Sequence, residues 1–300
     1  MKKKTYLFIL MAMALTLGSC SDNENGIGGE TSKYITVSTS IGNMTRVATD
    51  ANGGQTFEEG DEISVYAWTG APTVAPETRE RVVNNAINKL TNGSWVSTPQ
   101  MLWKNNRDKH YFIGVYPISA ISDLTAGEYT FDVNKQTESD LLVAVNPDGL
   151  SYSADAQQTV PLTFTHVMAK LAVKLTYKNQ WGGIPTVEKV VVGNAAKEAT
   201  VNYLTKVVTP STTAKEDFSL PEITENTKYV SVIIPQEEVK QLTIVIGGKN
   251  FVYDNGTPFK LESGKITTVN LEVGRDEIKL GDVKITDWEN GSTFSGEALN

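Results

Sequence analysis

Residues 170–177 read Lys170-Leu171-Ala172-Val173-Lys174-Leu175-Thr176-Tyr177. Leu171, Val173, Leu175 and Tyr177 alternate with Lys170, Lys174 and Thr176, a period of two that belongs to a β-strand with one wet face. The same period extends outward in both directions. Ile35, Val37 and Ile41 share one face of Tyr34–Ile41, while Thr36, Ser38 and Ser40 take the other. Ile63, Val65 and Ala67 repeat the pattern. Val230–Ile234 runs until Pro235 stops it, and Leu242–Ile246 and Phe251–Tyr253 flank Gly247-Gly248, a hairpin signal. Strands over 266–273 and 283–285 follow, each bounded by Gly. Many short strands punctuated by Gly, Asn and Asp predict an all-β chain built as a sandwich or barrel.

One segment carries two periods. In Arg79–Leu90, Val82, Val83, Ala86, Ile87 and Leu90 recur at helical spacing, yet the segment also reads as a strand turning through Asn92-Gly93 into Trp95-Val96. Its neighbours are strands, and an isolated helix of this length is marginal, so a strand is expected. The turn residues Asn146-Pro147-Asp148-Gly149 and the polar run 151–158 make the best interior break. They divide the body into an N-terminal domain over 34–158 and a C-terminal domain over 159–300.

The N-terminus is an address. Lys2, Lys3 and Lys4 precede an apolar stretch, Tyr6–Leu17, that is short for a membrane span. Leu17-Gly18-Ser19-Cys20 resembles a bacterial lipobox, which makes 1–19 the signal peptide and Cys20 the acylated first residue. Acyl chains there would hold the protein at the outer membrane without a transmembrane helix. Residues 20–33 form a Gly-rich, acidic tether whose start, Asp22 and Glu24, resembles the surface-export signal of Bacteroidetes lipoproteins.

The chemical inventory is thin. The net charge is −8, and loss of the three signal lysines leaves 24 basic against 35 acidic residues, about −11, which argues against nucleic acid as a partner. Two histidines, His110 and His166, and the single Cys20 give little material for a zinc site or a thiol–imidazole pair. No Gly-x-Ser-x-Gly elbow or phosphate-cradling loop occurs. The acidic run Glu58-Glu59-Gly60-Asp61-Glu62 reads as a solvated turn, and the five tryptophans as packing residues. A non-enzymatic protein with no cofactor or metal is expected.

Several segments together resemble the fimbrillin-like proteins of Bacteroidales. They are Met44-Thr45-Arg46-Val47-Ala48, Phe57–Tyr66, Trp103 with Tyr111–Pro117, Asp140-Leu141-Leu142-Val143-Ala144, Leu162–Leu171, Ile233-Ile234-Pro235-Gln236, Gly264-Lys265-Ile266, and 285–291, Ile-Thr-Asp-Trp-Glu-Asn-Gly. Their order spans nearly the whole chain beyond the signal. The resemblance implies two transthyretin-like β-sandwich domains in a lipoprotein precursor that becomes a stalk, anchor or tip subunit of a fimbrium. It also implies an arginine-specific cut that removes the lipidated segment with its first strand, after which a neighbouring subunit fills the groove by β-strand addition. Arg46 is the first arginine, so the cut is expected between Arg46 and Val47. The implied partners are other fimbrial subunits and a receptor on a host or neighbouring cell. The rival reading is a carbohydrate-binding surface lipoprotein of a glycan-uptake system, which would share the anchor, the sandwiches and the tryptophans.

Overall fold

The computed structural model describes residues 33–42, 56–153, 158–254 and 256–288. Within them the chain is all-β, with helical structure confined to two single 3-10 turns. The strands are β1 (Thr36–Ile41), β2 (Glu62–Thr69), β3 (Val83–Thr91), β4 (Ser94–Thr98), β5 (His110–Tyr116), β6 (Gly127–Thr130), β7 (Leu142–Leu150), β8 (Thr159–His166), β9 (Ala169–Tyr177) and β10 (Val187–Ala196). They continue as β11 (Glu198–Asn202), β12 (Val207–Pro210), β13 (Lys215–Ser219), β14 (Glu222–Thr224), β15 (Lys228–Ile233), β16 (Gln241–Ile246), β17 (Lys249–Asp254), β18 (Lys265–Val273) and β19 (Ile278–Asp287).

Local turn chemistry places the hairpins. Asn92 and Gly93 both take positive φ, 52° and 72°, and join β3 to β4. Gly247 and Gly248, at 57° and 70°, do the same between β16 and β17. Two successive positive φ values match the right-handed twist of paired strands, which favours Asn and Gly there. The segment that carried two periods is therefore a strand from Val83 onward, entered through the 3-10 turn Thr78–Glu80. Asn146–Gly149 behaves differently from the turn expected of it. It lies inside β7 as a bulge, where the ladder to β5 steps from His110↔Leu150 to Phe112↔Asn146. The Asn146 Oδ1 takes the Gly149 N–H at 2.9 Å, so the side chain satisfies a donor that the ladder skips.

The first sheet runs β1-β8-β7-β5-β2-β3-β4. It is antiparallel throughout except at one end, where β1 pairs parallel with β8 from Thr36↔Thr159 to Ile41↔Phe164. Its two ends approach each other: the Trp95 indole on β4 donates to Thr39 Oγ1 on β1 at 3.0 Å. Curled in this way, the sheet encloses a core of Ile35, Val37, Ile63, Val65, Ala67, Phe112, Ala144, Val160, Leu162 and Phe164. The alternate residues of the same strands, among them Tyr66, Trp68, Ile113, Val115 and Val143, enter a second core on the sheet's other face. β2 and β5 are thus covered on both sides, which is why Ile63–Trp68 carry apolar residues at nearly every position.

That second core continues through the later strands. The sheets β13-β10-β16-β17 and β14-β15-β9-β18-β19 face each other across it as a β-sandwich, with Val190, Val192, Leu242 and Ile244 on one side and Leu171, Val173, Tyr229 and Val269 on the other. A small sheet, β12-β11-β6, ties the halves together, because β6 precedes β7 in the chain yet pairs with β11. The division expected between 158 and 159 falls at the head of β8, whose ladder partners β1 and β7 both belong to the first sheet.

Gly114 on β5 shows how tightly the first core is filled. A Cβ there would stand 2.6 Å from Phe164 Cζ and 3.1 Å from Leu162 Cδ1. Gly114→Ala is expected to lower the unfolding free energy by about 1–3 kcal/mol through overpacking. Denaturant unfolding checks this, and combining the change with Phe164→Leu should give a double mutant less destabilised than the sum of the two single ones.

Candidate functional site

β1 is a separable element. Its inward row is Ile35, Val37, Thr39 and Ile41; the three apolar members are buried, and the one polar member is satisfied by Trp95. Its outward hydroxyls meet those of β8, Thr36 to Thr159 and Ser40 to Thr163, each at 3.2 Å. Before the strand begins, Ile35 N–H donates to the Met101 carbonyl at 2.9 Å and Trp103 N–H to the Lys33 carbonyl at 3.2 Å. At its end, Gly42 N–H reaches the Phe164 carbonyl at 2.8 Å. The hydrogen bonds described for β1 are therefore directed at three places, β8, Trp95 on β4 and the segment 101–103. Without β1, the β8 backbone would lose a row of partners, and Val160, Leu162, Phe164, Met101 and Trp103 would lose a wall. Each of the three buried aliphatic side chains contributes about 1.5–3 kcal/mol through burial, so the vacated groove would strongly favour another strand with the same alternation.

A second constellation joins three segments remote in sequence. The His166 Nδ1, at the end of β8, lies 2.8 Å from Asp140 Oδ1, and both side chains are largely buried. The Trp288 indole stacks on the His166 ring with centroids 3.9 Å apart and an interplanar angle of 8°. The Lys170 ammonium covers the same indole at 4.0 Å, a cation–π contact. Burial holds the Lys170 ammonium below the usual lysine range, with Asp140 opposing the shift. The Trp288 N–H closes on the Gly264 carbonyl at 2.9 Å, so the end of β19 is clasped to the loop before β18. His166 Nε2 has no hydrogen-bond partner among the described residues. The arrangement acts as a clasp: a carboxylate fixes an imidazole, and the imidazole and an ammonium both press on one indole.

Cys20, Arg46 and Val47 lie outside the described residues. Three of the acids in Glu58–Glu62 have partners in their own turn or in the adjacent β3–β4 hairpin. Asp61 accepts the Glu58 N–H at 2.7 Å, Glu59 accepts the Asn92 N–H at 2.8 Å, and Glu62 pairs with Lys89 at 3.0 Å. His110 is fully buried; its Nε2 accepts the Lys104 N–H at 3.0 Å, and burial pushes the imidazole below the usual histidine range. Trp68, Trp103 and Trp288 are buried, and the half-buried Trp95 and Trp181 spend their indole N–H groups on Thr39 and the Val273 carbonyl. A further polar node had no signal in the sequence. Arg81 donates to the Ile121 carbonyl at 2.7 Å and the Ser122 carbonyl at 2.5 Å, and Tyr66, beneath its guanidinium, accepts the Ile121 N–H at 2.9 Å.

Residues 45–288 match the family described as fimbrillin-like. The chain belongs to the fimbrillin-like family. Among solved structures it is similar to a protein from Bacteroides uniformis described as a cell adhesion protein, with 19% identity and a TM-score of 0.62 over 86% of this chain and 100% of that one. A Bacteroides ovatus protein with the same description gives 19% identity and a TM-score of 0.62 over 85% and 98%. A fimbrial protein from Bacteroides vulgatus gives 14% and 0.52 over 84% and 99%. These likenesses carry the fold. No curated protein matches the chain.

In this fimbrillin-like chain, the clasp joins three of the segments that carried the resemblance: Asp140 opens one, His166 and Lys170 sit in another, and Trp288 lies in the last. Trp288→Ala is expected to cost about 3–5 kcal/mol of stability, as for other large buried aromatics, and Trp288→Phe distinctly less. Chemical denaturation of both variants checks the order.

Proposed function

We propose that the chain is a structural subunit of a cell-surface fimbrium, delivered as a lipoprotein through acylated Cys20 and assembled by exchanging β1 for a strand of a neighbouring subunit. The observation that carries this reading is the parallel edge position of β1, with Ile35, Val37 and Ile41 in the first core and no covalent tie beyond the chain itself. A cut between Arg46 and Val47 would sever that tie, since Arg46 stands between β1 and β2 in sequence. The freed strand leaves with the tether and the lipid, and the groove beside β8 takes a strand with apolar residues at alternate positions, an instance of β-strand addition. Family membership supports the fimbrial context. The buried or hydrogen-bonded state of each tryptophan indole fits a packing role for them better than a sugar platform.

Intact mass and N-terminal sequencing of protein taken from its native cell surface test the reading. The expected product begins at Val47 and appears in high-mass assemblies. Arg46→Ala should keep the acylated Cys20 terminus and abolish those assemblies. Assembly of Arg46→Ala at the level of the unaltered protein would contradict strand exchange.

A further inference from the structure

β19 ends the sheet β14-β15-β9-β18-β19, and among the described residues it pairs with β18 alone. Every residue from Lys279 to Asp287 is exposed. Its core-side row faces fully buried partners: Leu280 opposes Leu271, Val283 opposes Val269, and Ile285 opposes Thr267. Yet Leu280, Val283 and Ile285 remain 36%, 38% and 41% exposed. A long edge strand with an uncovered apolar row is a template for pairing. The ladder to β18 slips at Gly281, and the run from Asp282 to Asp287 pairs with β18 without a further irregularity.

The opposite face of the same run is charged, with Asp282 and Lys284 two positions apart. That spacing selects an occupant. In an antiparallel pair of identical strands, a two-fold axis through Asp282 or Lys284 sets like charges directly opposite each other. An axis through Val283 sets Asp282 of each copy opposite Lys284 of the other, twice, with Val283 against Val283 on the apolar face. Axes that fall between residues place the apolar row of one copy against the charged row of the other. Opposite charges across strands stabilise, and like charges destabilise.

We infer that β19 pairs antiparallel with β19 of a second copy about a two-fold axis at Val283, joining two sheets into one across the dimer. The interface is isologous, as two-fold contacts are. It needs neither cleavage nor removal of β1, so it stands apart from the strand-exchange reading.

The two Val283 Cα atoms would lie roughly 4.5–5.5 Å apart, within the range a disulfide bridges. The test uses the full chain displayed on its own cells, where the surroundings are oxidising. Val283→Cys should yield a covalent dimer on non-reducing gels, whereas Val252→Cys, exposed on β17, should not. Adding Asp282→Lys should reduce the crosslink about tenfold, and adding Lys284→Asp to that should restore it. Absence of a Val283→Cys dimer, an equal dimer from Val252→Cys, or a crosslink indifferent to the charge reversal would each overturn the inference. The last of these would assign the contact to another surface.

Discussion

The parallel ladder between β1 and β8 is the constraint on which the first half of the molecule depends. Parallel neighbours cannot be joined by a tight turn, and strands β2 to β7 lie between β1 and β8 in the chain. Of the sheet's strands, the one that comes first in the chain stands at the end, beside the one that comes last. Its inward residues complete a core that β2, β5, β7 and β8 otherwise leave open on one side. Because the ladder to β8 is made of backbone groups that any extended chain carries, and among the described residues of β1 only Thr36, Thr39 and Ser40 add side-chain hydrogen bonds, the core chiefly specifies a strand of a given alternation. This separates the need for a strand from the need for this strand, which is the property that a subunit exchanging strands requires.

The remainder of the molecule is held together by contacts that do not run through β1. The second core lies on the far face of the first sheet and draws Tyr66, Trp68, Ile113 and Val115 from the same strands. The β6–β11 pairing and the Asp140–His166–Trp288 clasp connect the halves by routes that bypass β1. In the clasp, a buried carboxylate is matched to a ring nitrogen, and the indole is pressed between that ring and an ammonium. A buried polar group without such partners would be destabilising. Trp288 thus fastens the end of β19 while leaving the strand's outer edge exposed.

Much of this was legible in the sequence, for physical reasons that differ by element. Period-two alternation identified β1 and β9, whose inward faces enter an apolar core. Asn92-Gly93 and Gly247-Gly248 identified their hairpins because few residues tolerate two successive positive φ values. The alternation says which face is buried but not which strand lies alongside, so the parallel β1–β8 pairing and the β6–β11 pairing had no local signature. Asn146–Gly149 read as a turn because bulges and turns use the same residues. The clasp was half visible: Asp140, His166, Lys170 and Trp288 all sit in segments that carried the family resemblance, yet nothing in their spacing announced that they converge.

Whether β1 is the removable wall of the first core is read out by hydrogen exchange along β8. Amide protection across Thr159–His166 should be high in the intact chain, fall once an arginine-specific protease has released β1, and return in the assembled fibre. Unchanged β8 protection after β1 has left would show that the core closes without it and that β1 is not its wall.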